Sequence, residues 1–230
     1  VRPKRIILIR HGESESNVNK EVMATKPDFA VKLTLWGERQ AKIAGEKVKS
    51  LVDEASFPML GKGQPYDCWF YVSPFYRTRQ TKDVIIQAFD AQRIRVVEDP
   101  RLREQEHTPR ILKGEYDRDS IEKERDDYGH FYYRFEGGES CADVYDRISD
   151  FLGTLYRDFE KVDFPSTCVI VSHGMTNRVF LMRLLKYTVE EFEFLRNPEN
   201  CGMFILDKQP NGKYALAEPP RKYPERNCKH

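Results

Sequence analysis

The sequence predicts a three-layer α/β/α fold: a mainly parallel sheet with helices on both faces. Two apolar runs with similar endings predict it most directly. Ile6-Ile7-Leu8-Ile9 leads into Arg10-His11-Gly12, and Cys168-Val169-Ile170-Val171 leads, after Ser172, into His173-Gly174. Unbroken aliphatic runs of this length are typical of strands buried on both faces, and the carboxyl ends of such strands are where open α/β sheets bind ligands. The third observation is that stretches of helical apolar spacing separate the strand runs, as βαβ units require. Only five histidines occur in 230 residues, so two of them at matched strand ends point to shared chemistry.

Taken in order, Lys4–Ile9 is the first strand. Ser14 is placed to cap a helix through Val18 and Lys20, its oxygen accepting from a backbone N–H that the helix leaves unpaired. A loop through Pro27 reaches Thr34, a second cap, and Ile43, Ala44, Val48, Leu51 and Val52 keep a helical period over Leu35–Val52. Phe57 to Pro65 is a loop punctuated by glycine and proline. Cys68–Val72 is a second all-apolar strand ending in Ser73-Pro74-Phe75-Tyr76-Arg77, and helix spacing follows at Thr81, Val84, Ile85, Ala88 and Phe89. Ile94–Val97 is a short third strand, with Leu102-Arg103-Glu104 soon after it.

Segment 108–138 is irregular and dense in charge, and is expected to lie as an insertion over the carboxyl edge of the sheet. Cys141, Val144, Ile148, Phe151, Leu152, Leu155 and Phe159 mark the clearest amphipathic helix. The strand 168–171, a helix over Thr176–Lys186 and a hairpin of Met203–Leu206 with Tyr214–Leu216 about Asn211-Gly212 complete the pattern. Residues 1–218 are expected to form one domain, and 219–230 a disordered tail.

Composition excludes several classes of partner. With 38 basic and 37 acidic residues the net charge is +1, which leaves no electrostatic footprint for nucleic acid or an anionic membrane. The cysteines (68, 141, 168, 201 and 228) are odd in number and mostly sit in apolar runs, as reduced cysteines of an intracellular protein do. Four consecutive aliphatics near the start are too few for a signal peptide or membrane span. A cytoplasmic protein is expected, with a nuclear location also open. No sequence pattern suggests a metal or other cofactor.

The strand ends bring together Arg10, His11, Arg77, Glu104 and His173, a complete set for phosphoryl transfer. Guanidinium forks match phosphoryl oxygens, and an imidazole attacks phosphorus through one ring nitrogen when a hydrogen bond fixes the other. A second imidazole, charged among the oxygens, steadies the transition state. A carboxylic acid protonates the leaving oxygen and then takes a proton from water.

Arg10-His11-Gly12-Glu13, Asn17, Ser73-Pro74 with Arg77 and Thr81, Leu102-x-Glu104 and Ser172-His173-Gly174 resemble the histidine phosphatase superfamily, in its phosphoglycerate-mutase-like, intracellular eukaryotic branch. The resemblance spans residues 4–206. It implies that His11 is the phosphorylated residue and that Arg10, Arg77 and His173 form the phosphate pocket. It also implies that Glu104 is the proton donor and that Asn17 and the Gly174–Met175 backbone contact phosphate. Where the family usually shows an aromatic–glycine pair after the acid, this chain has Glu106-His107, which makes Glu106 a rival donor.

Cys141 and Arg147 have the spacing of a cysteine phosphatase loop. The stretch nevertheless lacks glycine, carries two aspartates and keeps a helical period, so a thiolate site is rejected. Gly61-Lys62-Gly63 lacks the spacing of a phosphate-binding P-loop. The expected activity is a phosphatase acting on small phosphomonoesters. A phosphoglycerate mutase or sugar-bisphosphatase is the alternative, and a non-catalytic phospho-ligand binding protein the second. A mutase would need further cations, for which Arg110, Lys113, Arg118, Lys123 and Arg134 are the candidates.

Overall fold

The computed structural model describes residues 2–56, 65–107 and 118–223. Its centre is a six-stranded sheet of β1 (Arg5–Arg10), β2 (Cys68–Val72), β3 (Ile94–Glu98), β4 (Thr167–Ser172), β5 (Met203–Lys208) and β6 (Tyr214–Leu216), in the order β3-β2-β4-β1-β5-β6. The first four strands in that order are parallel; β5 pairs antiparallel with β1, and β6 antiparallel with β5. The helices are α1 (Glu15–Val18), α2 (Val22–Thr25), α3 (Leu35–Ser56), α4 (Tyr76–Ile85), α5 (Arg118–Tyr128), α6 (Cys141–Phe159), α7 (Gly174–Leu185) and α8 (Val189–Phe194). Among the described residues no helix is long and apolar enough to cross a membrane.

Alternation along the buried strands assigns the two layers. Ile6 and Leu8 join the core under α6 and α7, together with Trp69, Tyr71, Cys168 and Ile170. Ile7 and Ile9 face the opposite way, against Val48 and Val52 of α3 and Ile85 of α4, together with Phe70 and Val171. Both faces of β1, β2 and β4 are therefore covered, which is why their sequences are apolar without interruption. The apolar period of α6 turns Val144, Ile148, Phe151, Leu152 and Leu155 into this core, while β3 is an edge strand with three exposed residues.

Several boundaries differ from expectation for physical reasons. Helix α4 begins at Tyr76, earlier than the apolar spacing showed, because Pro74 and extended Phe75 already set its entry. Its α-helical part stops at Ile85 and continues as a tighter turn over Ile86–Ala88. Residues 219–223, expected to belong to a disordered tail, are paired: Arg196 N–H donates to the Arg221 carbonyl at 3.0 Å, and Tyr223 N–H to that of Phe194 at 2.8 Å. The Gly61-Lys62-Gly63 stretch, Arg110, Lys113 and Cys228 lie outside the described residues.

The described part of the expected insertion is anchored into the main core. Phe131 is buried against Phe192, with centroids 5.4 Å apart. Glu139 N–H donates to the Glu106 carbonyl at 2.8 Å, which ties this segment to the loop carrying Glu104.

A candidate active site at the carboxyl edge

Register alone makes the two histidines neighbours. Arg10 of β1 stands opposite Ser172 of β4, so the next residue on each strand is a histidine. His11 N–H donates to the Ser172 carbonyl at 3.0 Å, and the two rings meet edge to face with centroids 5.3 Å apart. Close backbone packing holds this strand end: a Cβ on Gly12 would come within 2.5 Å of the Gly37 carbonyl oxygen at the start of α3.

His11 is held in a single tautomer. Its Nδ1 lies 2.7 Å from the Gly12 carbonyl oxygen, which can only accept, so Nδ1 carries the proton and Nε2 the lone pair. Arg77 Nε donates to that Nε2 at 3.2 Å, consistent with the same assignment. Burial, followed by the charges of Arg77 and Arg10, holds the imidazole pKa well below its ordinary 6.5. The ring is therefore neutral at physiological pH.

His173 lies wholly inside the protein. Its Nε2 is 2.8 Å from Ser73 Oγ, while its Nδ1 is buried without a hydrogen-bond partner. Ser73 Oγ also accepts from Phe75 N–H at 3.4 Å, and its second lone pair and its proton both remain available to the His173 ring. The sequence led us to expect a charged imidazole here. Burial first, then Arg77, pushes its pKa well below 6.5, so the ring is neutral in the absence of an anion.

Arg77 sits in the first turn of α4. Thr81 Oγ1 donates to the Arg77 carbonyl at 2.7 Å and accepts from Gly12 N–H at 3.0 Å, which ties this turn to the end of β1. The two terminal nitrogens of Arg77 are engaged by Asp28, at 2.8 Å and 3.3 Å to its carboxylate oxygens. Arg10 donates from Nη1 to the Pro198 carbonyl at 2.8 Å, and its Nε is buried and unpartnered. Burial lowers the pKa of Arg10, partly offset by the negative charge of Glu104.

Glu104 is gripped by the start of α7. Its Oε1 accepts from Thr176 N–H at 3.2 Å and its Oε2 from Met175 N–H at 3.3 Å, while Thr176 Oγ1 gives its one proton to the Arg103 carbonyl at 2.6 Å. The Met175 amide, expected on phosphate, thus faces the carboxylate of Glu104. Gly174 is packed so closely that a Cβ there would lie 2.9 Å from Asn197. Glu106 is exposed on the neighbouring cleft wall. Asn17 joins the site through Asn200, whose Nδ2 donates to the His11 carbonyl at 3.2 Å and to Asn17 Oδ1 at 3.1 Å.

The structure therefore brings together His11, Arg10, Arg77, Glu104 and His173, with Asn17, Gly174 and Met175 beside them. A cleft of about 520 Å³ opens next to this group, lined in part by Asp28, Phe75 and Glu104. Sequence reasoning missed Asp28, Thr176 and Asn200. Asp28 reads only as a turn residue after Pro27, and nothing local ties it to an arginine 49 positions away.

Other candidates separate from the site. Arg134 is exposed and donates to Asp143 at 2.5 Å, and Lys123 is exposed on α5. Arg147 pairs with Glu139 at 3.0 Å, and burial pushes the Cys141 thiol up to about 11, so the rejected cysteine loop holds no thiolate. Among the described residues no three His, Cys, Asp or Glu side chains are grouped to hold a metal ion.

Residues 6–217 match the family model of the histidine phosphatase superfamily, branch 1. The chain is 42% identical to phosphoglycerate mutase-like protein AT74H of Arabidopsis thaliana, over 94% of this chain and 78% of that protein. It is 30% identical to broad-range acid phosphatase DET1 of Saccharomyces cerevisiae, over 90% of this chain and 86% of that one. The solved structure of mycobacterial hydrolase 1 shares the fold, with a TM-score of 0.69 at 20% identity, covering 96% of this chain and 99% of its own. The chain belongs to the histidine phosphatase superfamily, in its phosphoglycerate-mutase-like branch, whose members named above are phosphatase- and mutase-like proteins.

Proposed function

We propose that the chain is a phosphatase that hydrolyses small phosphomonoesters through a phosphoryl group carried transiently on His11 Nε2. One observation carries this reading: the Gly12 carbonyl fixes the His11 proton on Nδ1, so the lone pair on Nε2 lies among cationic donors. A neutral imidazole protonated at Nδ1 is a competent nucleophile at Nε2 once Arg77 Nε turns from that nitrogen to a phosphoryl oxygen.

In the first step Nε2 attacks phosphorus, the N–P bond forms and the bond to the ester oxygen breaks. Glu104 protonates the departing oxygen. In the second step water attacks the phosphorus as Glu104 takes its proton; the N–P bond breaks and inorganic phosphate leaves. Arg10, Arg77 and the His173 ring offer donors to the phosphoryl oxygens, and charge that develops on those oxygens strengthens each bond. Glu104 is favoured as the acid over Glu106 because two backbone N–H groups at the start of α7 hold it in place, whereas Glu106 is exposed on the cleft wall.

Hydrolysis is favoured over isomerisation because, among the described residues, neither Arg134 nor Lys123 of the candidate cations joins the site. A mutase must hold a phosphorylated carboxylic acid with additional cations, whereas Arg134 is engaged by Asp143. The test is a substrate panel of small phosphomonoesters and phosphoglycerates, with and without bisphosphoglycerate primer. Stoichiometric release of inorganic phosphate is expected. Isomerisation of phosphoglycerate without net phosphate release would overturn the reading.

A further inference from the structure

Among the described residues, the cleft beside the site is poor in free positive charge: two cations line it. Lys26 is paired with Glu15 at 2.6 Å, and Arg103 with Glu139 at 2.6 Å. The carboxylate of Glu106 also stands on its wall. The remaining surface is largely apolar, contributed by Met23, Pro27, Phe29 and Phe75. Phe29 is 60% exposed, so its ring offers open apolar surface to the cleft.

Resting on the phosphatase reading above, we infer that this cleft receives an uncharged, apolar alcohol or phenol, the leaving group of the substrate. A second phosphate or a carboxylate on that group would meet Glu106 and two cations whose charge is already neutralised. An apolar group would instead cover Phe29 and Phe75 and gain the transfer energy of their exposed surface. The ester oxygen would then lie beside Glu104, which also lines the cleft.

The test compares kcat/KM for 2-phenylethyl phosphate and 3-phosphoglycerate, both esters of primary alcohols, on the full chain. The apolar ester is expected to be preferred by roughly 50-fold. Phe29→Ser should shrink that ratio by about ten-fold, and its exposed position makes loss of folding easy to check by thermal melting. Equal or reversed preference with brisk phosphate release would overturn this inference and leave the phosphatase reading intact. No phosphate release from either ester, with no label acquired by His11, would overturn both.

Discussion

Asp28 occupies the guanidinium fork of Arg77 from two directions. Arg77 Nη1 donates to the Asp28 carboxylate at 2.8 Å and to its backbone carbonyl at 2.7 Å, and Nη2 donates to the second carboxylate oxygen at 3.3 Å. The Arg77 side chain is only 4% exposed. A phosphoryl group that uses this fork must share it with a carboxylate or displace one. Asp28→Asn is therefore predicted to tighten competitive inhibition by inorganic phosphate, by roughly ten-fold, since it removes a negative charge at the anion's own position. Weaker phosphate binding in the variant would instead show that Asp28 orients Arg77.

Glu104→Gln should separate leaving groups. On an alkyl phosphate the loss in kcat is expected to be on the order of 100- to 10,000-fold, the range for a lost general acid. On an activated aryl phosphate, whose leaving oxygen needs little protonation, the loss should be far smaller. Equal losses on both esters would reject Glu104 as the acid.

Stability should fall on mild acidification. His11 and His173 both have folded-state pKa values held below 6.5, chiefly by burial. Below pH 6.5 the unfolded chain binds protons that the folded protein excludes, so stability is fully present above that pH and is lost as pH falls through it. Each imidazole contributes a slope of up to about 1.4 kcal/mol per pH unit. Urea unfolding at about pH 7 and about pH 5.5 checks this, with His11→Gln expected to flatten the dependence by one proton's worth. An unchanged slope in the variant would contradict it.

What was legible in the sequence was whatever a local period encodes. The apolar runs of β1 and β4 announced central strands, and their matched endings placed His11 beside His173, because parallel register carries equivalent positions to one edge. Helix α6 was legible from its stripe, while its cap, Ser140, is seen only in the structure. Contacts that join distant segments were not legible. Asp28 meets Arg77, and Glu139 ties Arg103 and Arg147 to the loop of Glu104, through pairings that no spacing rule records. The neutral state of His173 was equally hidden, since it follows from burial among cations and not from the residue's neighbours in sequence.

The central claim is that His11 carries the phosphoryl group, and trapping the protein during turnover tests it most directly. A rapidly quenched reaction with a radiolabelled phosphomonoester, digested and mapped by mass spectrometry under conditions that preserve phosphoramidates, should place the label on His11. A label on a cysteine, or none on His11 while hydrolysis proceeds, would contradict the account.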